Sequence, residues 1–273
     1  MTGAKNEATE PGREPRHAEL GLVDGLDLHA QYHCERTGGD FFDAVRVGSR
    51  VVFLLSDIAG RRAEAGPIAA EIQEAFRASA TELFGAGDVN LMEGMELLVQ
   101  AINHALFKAA NGMHFAPTML GCYDVQLGIL AYINAGGQVA VLQDSEGARP
   151  LPNVSMPLGL FTHLTYEASM QAFEPGARLL VVTKGVTESK QGKVAFGAER
   201  VLEALKSSQV ESASKVCEEV LEAADEFERP RQGVGIFGRK RAVVREDKTA
   251  LVMVRSFLGG PVDPRVRLRL KRT

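Results

Sequence analysis

Cysteine is scarce, there is no overall excess of basic charge, and no stretch of about 18 apolar residues occurs anywhere in the chain. Each shortage removes a class of protein. The three cysteines, Cys34, Cys122 and Cys217, are odd in number and widely spaced, so neither a disulfide framework nor a zinc spacing can be read from them. Each reads as a small buried apolar residue, and a reducing cytoplasm is the expected compartment. Without a long apolar run no membrane span is expected. The polar opening residues, with Pro11 and Pro15, do not look like a secretory leader. A formal net charge of -4 and a pI near 5.9 leave no basic footprint for nucleic acid. The six histidines show no paired metal spacing. No G-x-x-x-x-G-K-S/T loop exists, and the glycine-rich run at 233–238 reads as a loop rather than a phosphate cradle.

What is present is the balance of an ordinary globular protein: 273 residues, 45% hydrophobic and 24% charged. Residues 1–20 are polar and read as a disordered segment. Strand patterns follow over Leu26 to His33, Phe41 to Val47 and Val51 to Ser56, the last two flanking a Gly48-Ser49 hairpin turn. The run VVFLLS is apolar almost throughout and should be buried on both faces. Helical periods cover Ala63 to Leu83 and Leu91 to Ala109. Strands return over Pro117 to Asp124, Ile129 to Asn134, Val139 to Gln143, Leu164 to Phe173 and Arg178 to Thr183. Helices follow at Ala198 to Lys206 and Ser212 to Asp225, with Ser212 as the expected cap, and a last strand at Thr249 to Arg255. Strands joined by tight turns imply antiparallel sheets, and paired helices imply a layered α+β domain.

Acidic side chains sit at strand ends in three places: GGDFFD at 38–43, DIAG at 57–60, and EDKT at 246–249. A carboxylate at the end of a buried strand is costly unless paired or bound to metal. Hard divalent cations take oxygen ligands, and two ions sharing a carboxylate can activate a water and clamp a phosphoryl group. Taken singly, each acid reads equally well as a turn former. Their order along the chain is what carries information.

In that order the sequence resembles the SpoIIE-like bacterial serine phosphatases of the PPM superfamily. The matching elements are GGDFFD at 38–43, DIAG at 57–60, NAGG at 134–137 and PLGLF at 157–161. They continue as EPGARLLVVTKGVTES at 174–189, FGAERV at 196–201 and EDKTALVMV at 246–254. The resemblance implies a four-layer αββα sandwich of two antiparallel sheets flanked by helix pairs, with metals in a cleft at one end. It implies a phosphatase domain over 21–258, followed by a basic tail at 259–273. It implies Mn²⁺ or Mg²⁺ held by Asp40, by Asp57 as the bridging ligand, by the Ile58 carbonyl, and by Glu246 with Asp247 as the alternate. Arg36, four residues before Asp40, is a candidate phosphate contact or a solvated arginine.

The chain departs from the pattern where the family carries aspartate and this sequence has Lys184. An ammonium has donors and no acceptor, so it cannot ligate a cation. Either one ion remains and Lys184 takes over part of the phosphoryl charge, or catalysis is lost and the fold binds phosphoproteins as a regulatory module. Gly137 stands where the family's turn has histidine. The resemblance further implies a phosphorylated regulatory protein as partner, such as an anti-sigma-factor antagonist, and leaves a homodimer open. The basic runs at 229–245 and 265–272 read as solvated surface or as contacts to an acidic partner.

Overall fold

The computed structural model describes residues 15, 23, 25–33, 38–86, 88–152, 155–229 and 247–256. The expected disordered segment and basic tail therefore lie almost wholly outside the described residues. So do the loop at 233–238, Cys34, Arg36 and Glu246.

Among the described residues, twelve strands and five helices follow one another. The first sheet-forming segments are β1 (Leu26–His33), β2 (Asp40–Val47) and β3 (Arg50–Asp57). Two long helices come next, α1 (Arg62–Phe84) and α2 (Leu91–Ala109). Then come β4 (Thr118–Asp124), β5 (Ile129–Ala135), β6 (Val139–Asp144), β7 (Gly147–Pro150), β8 (Ser169–Ala172) and β9 (Arg178–Val182). The chain continues through α3 (Lys184–Thr187), the small hairpin β10 (Lys190–Gln191) and β11 (Val194–Ala195), α4 (Gly197–Ser207), α5 (Ala213–Glu228) and β12 (Lys248–Arg255).

These elements make two five-stranded sheets, in the orders β1-β12-β9-β6-β7 and β2-β3-β4-β5-β8. Neighbouring strands are antiparallel throughout. Alternation of side chains along β3 shows why its sequence is continuously apolar. Val51, Phe53 and Leu55 face the core between the sheets, while Val52 and Leu54 face the core under α1 and α2. A third core lies between the other sheet and α4 and α5, built from Val182, Ala250 and Val252 against Val216, Cys217 and Val220. The result is the α+β sandwich with helices on both outer faces. At the close approach of β3 and β4, the Phe53 ring lies over Gly121, where a Cβ would overlap it.

Local signals account for most boundaries. Asn90 caps α2 by accepting from the Met92 and Glu93 amides at 3.1 and 3.4 Å. The register Val47↔Arg50 leaves Gly48 and Ser49 as a two-residue turn, with Gly48 at φ 61°. Two expectations fail. Ser212 occupies the N-cap of α5 without capping it; the Ala213 amide donates instead to Asp27 Oδ2 at 2.8 Å. The strand expected from Leu164 to Phe173 shrinks to Ser169–Ala172. The residues before it are held differently: Tyr166 and Ala168 pack on the α2 side, and the Ala168 amide donates to Glu96 at 3.3 Å.

Cys122 and Cys217 are fully buried, and burial pushes the Cys122 thiol up to about 12 and the Cys217 thiol higher still. No helix among the described residues is long and apolar enough to cross a membrane.

Candidate metal centre

β2 and β3 form a hairpin whose open end carries the first two acidic motifs. The register places Asp40 directly opposite Asp57. Residues facing each other across an antiparallel pair stand about 4.5–5.5 Å apart at Cβ. Two positions further in, Phe42 and Leu55 face the core between the sheets, so the two acids point toward that same inter-sheet space at its end. Asp43, the second acid of the GGDFFD motif, points the other way. It is fully buried and accepts from Arg77 of α1 at 2.6 and 2.9 Å, so it clamps the helix and takes no part in the cavity.

The turn after β3 is packed tightly enough to require glycine. A Cβ on Gly39 would overlap the Ile58 carbonyl oxygen and stand 2.8 Å from the Ala65 Cβ. The Ile58 amide donates to the Gly39 carbonyl at 3.2 Å, locking the two motifs together. The Ile58 side chain is buried under α1 and α2.

The opposite sheet closes the site. Asp247 immediately precedes β12 and is buried beside Gly38. Thr183, after β9, and Thr249, in β12, are both fully buried, and their hydroxyls donate to the same Asp40 oxygen, Oδ2, at 2.7 and 2.6 Å. Neither threonine was singled out in the sequence. The available signal was their place in the motifs TKG and EDKT, beside the positions compared with metal ligands.

Asp40, Asp57, Ile58, Lys184 and Asp247 all line one cavity of about 590 Å³. Arg61 and Arg62, at the start of α1, also line it and bring the positive end of that helix to its mouth. Lys184 opens α3 with its side chain 60% exposed, and its Nζ lies 3.4 Å from Glu188 Oε1. It therefore sits at the rim and not between the acids. Arg36 and Glu246 lie outside the described residues.

The Asp40 carboxyl is held well above the usual carboxylate range. Burial is the largest cause, followed by the charge of Asp57; the two threonine hydrogen bonds oppose the rise, and Asp247 adds to it. A hard divalent cation would relieve this crowding of negative charge. Two carboxylates and a backbone carbonyl suit such an ion, which completes its coordination with water. Among the described residues no group of three His, Cys, Asp or Glu side chains is arranged to hold a metal. The described donors that line the cavity suit an oxygen-ligated divalent ion, and Lys184 can ligate none.

A second buried charge cluster adjoins this end of the sheet. Lys248 Nζ, whose side chain is 1% exposed, lies 2.7 Å from Asp225 Oδ1 and 2.8 Å from Glu228 Oε2, and His33 Nε2 lies 2.7 Å from Asp225 Oδ2. It ties the start of β12 to α5 and β1, which explains His33 without any metal role.

Known proteins are similar to this chain in sequence and in fold. The chain is 23% identical over 188 residues to the phosphoserine phosphatase RsbP of Bacillus subtilis, covering 67% of this chain and 43% of RsbP. The chain thus spans less than half the length of that relative. The phosphatase domain of the B. subtilis cell fate determinant SpoIIE superposes with a TM-score of 0.65 at 13% identity, over 84% of this chain and 63% of that one. The catalytic domain of the serine/threonine phosphatase PstP, solved with 2 manganese ions, gives 0.57 at 16% identity, over 85% of this chain and 100% of that one. The family model for Stage II sporulation protein E matches residues 48–237, and with two antiparallel sheets between helix layers to support it, the chain belongs to the Stage II sporulation protein E (SpoIIE) family.

Proposed function

We propose that this chain is a metal-dependent protein serine/threonine phosphatase that removes phosphate from phosphoserine or phosphothreonine on a regulatory partner protein. The observation that carries the reading is the cross-strand pair Asp40 and Asp57 at the open end of the β2–β3 hairpin, inside a cleft that also holds Asp247 and Lys184. Asp40, Asp57 and the Ile58 carbonyl are the groups that would hold Mn²⁺ or Mg²⁺, with Asp247 adding charge from the opposite side and Glu246, its neighbour in sequence, as the other candidate. When bound, such an ion acidifies a water and neutralises phosphoryl charge. The chain's own residues orient the substrate. Arg61, Arg62 and the α1 N-terminus give an acidic floor a basic mouth, which attracts a phosphoryl dianion and holds its oxygens. Lys184, on the same rim, can exchange Glu188 for a phosphoryl oxygen and so stabilise the charge of the transition state. An anti-sigma-factor antagonist is the kind of partner that fits the family, by analogy.

Lys184 also supports a second reading, a phosphoprotein-binding module without turnover, because it removes a ligand from the second ion position. One experiment separates the two. Purified protein is titrated with Mn²⁺ by calorimetry and assayed on p-nitrophenyl phosphate and a phosphoserine peptide. Metal-dependent turnover that disappears in Asp57→Asn is the expected result. Peptide binding with no turnover at millimolar Mn²⁺ would instead establish the module.

A further inference from the structure

We propose that Thr183 and Thr249 are positioning residues that aim Asp40 at the bound ion, so that a ligand carried by one sheet takes its orientation from the other. The inference rests on the reading of Asp40 as a metal ligand.

The geometry is unusually constrained for a pair of hydroxyls. The β9–β12 ladder pairs Val182 with Ala250, and the Thr183 amide donates to the Thr249 carbonyl at 3.0 Å, so the two threonines are the next cross-strand pair. The Thr249 amide donates to Thr183 Oγ1 at 3.1 Å. With that oxygen already accepting, the single Thr183 hydroxyl proton is free to go to Asp40, where the distance is 2.7 Å. Thr249 Oγ1 donates to the same oxygen at 2.6 Å. Two charge-assisted bonds converging on Oδ2 fix the plane of the carboxylate, because rotation about its last torsion breaks both. Neither bond falls on Oδ1, the oxygen that remains to meet a cation.

The arrangement crosses the inter-sheet boundary. Asp40 belongs to β2 of one sheet, while both donors belong to the other. Asp40 can therefore be held in this orientation only when the two sheets are docked at this end. Donors behind a metal ligand commonly change metal affinity about 10- to 100-fold when removed.

The test measures Mn²⁺ affinity by calorimetry, alongside melting in EDTA, for Thr183→Val, Thr249→Val and Thr249→Ser. Valine keeps the shape and removes the hydroxyl; serine keeps the hydroxyl. The expected result is a Kd raised about 10-fold in each valine variant, a Kd within about threefold of the parent in Thr249→Ser, and turnover recovered by saturating Mn²⁺. A purely structural role would lower melting in EDTA and leave the Kd within about twofold, and that result overturns the proposal while the metal reading stands. A parent protein that takes up no Mn²⁺ overturns both together. If a valine variant does not fold, the Thr183→Ser/Thr249→Ser double variant decides. A Kd within about threefold supports the hydroxyls, and a loss beyond about 10-fold assigns the effect to methyl packing and rejects the proposal.

Discussion

Replacing Asp40 by asparagine should make the metal-free protein more stable and the metal-loaded protein less so. Asp40 is buried, with the charges of Asp57 and Asp247 around it, and among the described residues Thr183 and Thr249 donate to its Oδ2. Asparagine keeps an oxygen for those two hydroxyls. It forfeits their charge assistance, about 1 kcal/mol for each bond. Against that stands the cost of an ion kept out of water, several kcal/mol even after relaxation. The upward displacement of the Asp40 carboxyl shows that burial and repulsion outweigh the hydrogen bonds. At a pH above the raised folded value, where Asp40 is ionised, the net gain for Asp40→Asn in EDTA is then on the order of 1–3 kcal/mol. In a chain of this size that raises the melting temperature by about 2–10 °C. Mn²⁺ at a hundred times its Kd should stabilise the parent by about 2.7 kcal/mol and leave the asparagine variant unmoved. Scanning calorimetry of both proteins, with EDTA and with Mn²⁺, reads all four states. An asparagine variant that melts lower than the parent in EDTA, or gains as much from Mn²⁺, would refute the reasoning.

Four further outcomes follow from the same end of the molecule. Because the folded Asp40 carboxyl titrates above its ordinary value of 3.8, the folded chain keeps a proton that the unfolded chain has released. The contribution of Asp40 to metal-free stability should therefore be greatest below about pH 4 and fall as pH rises through the raised folded value, as the difference between urea titrations of the parent and of Asp40→Asn across that range would show. Mn²⁺ must displace the same proton, so apparent affinity should climb by up to about tenfold per pH unit within the window and level off above it, with proton release visible in calorimetry. Lys248→Met should cost about 3 kcal/mol in urea unfolding, the low end for a broken buried pair, because Asp225 and Glu228 keep some access to water. Lys184→Asp should raise Mn²⁺ stoichiometry from one to two by elemental analysis; an unchanged single ion would mean that position 184 does not face a second site.

Sequence patterns were sufficient where an element carries its own period. Leu91–Ala109 appears with the bounds its apolar stripe suggests, and the uninterrupted apolar run of β3 follows from burial against two cores. They were insufficient where a partner decides. The alternation from Leu164 looked like a strand, yet Tyr166 and Ala168 spend their apolar surface on the α2 side and the amide of Ala168 goes to a glutamate. Four-residue elements such as α3 and β7 are too short to show a period at all. At α5 a serine stood in the right place, but Asp27 from a distant strand reached the amide.

The site divides along the same line. Asp40 and Asp57 could be named because each lies in a compact motif, and their pairing needs only a two-residue turn between strands of equal length. Asp43 shares the motif with Asp40 and looks equally acidic in sequence. A strand's period of two sends it to the opposite face, where Arg77 claims it. Thr183 and Thr249 pose the converse case. Their place in TKG and EDKT was a local signal, but it does not say that both hydroxyls meet one carboxylate. They matter because β9 and β12 are neighbours although 66 positions separate the two residues, and because that pair docks over β2. Which acids to compare with metal ligands thus came from compact motifs and the resemblance they carry, whereas what holds Asp40 still depends on contacts between sheets. The Lys184 substitution belongs to the first kind: its charge was plain in the sequence, but only the structure shows it at the rim beside Glu188 and not wedged between the acids. That placement is why a single ion held by Asp40 and Asp57 is compatible with the lysine. An ammonium buried between the two carboxylates would have competed for the same oxygens.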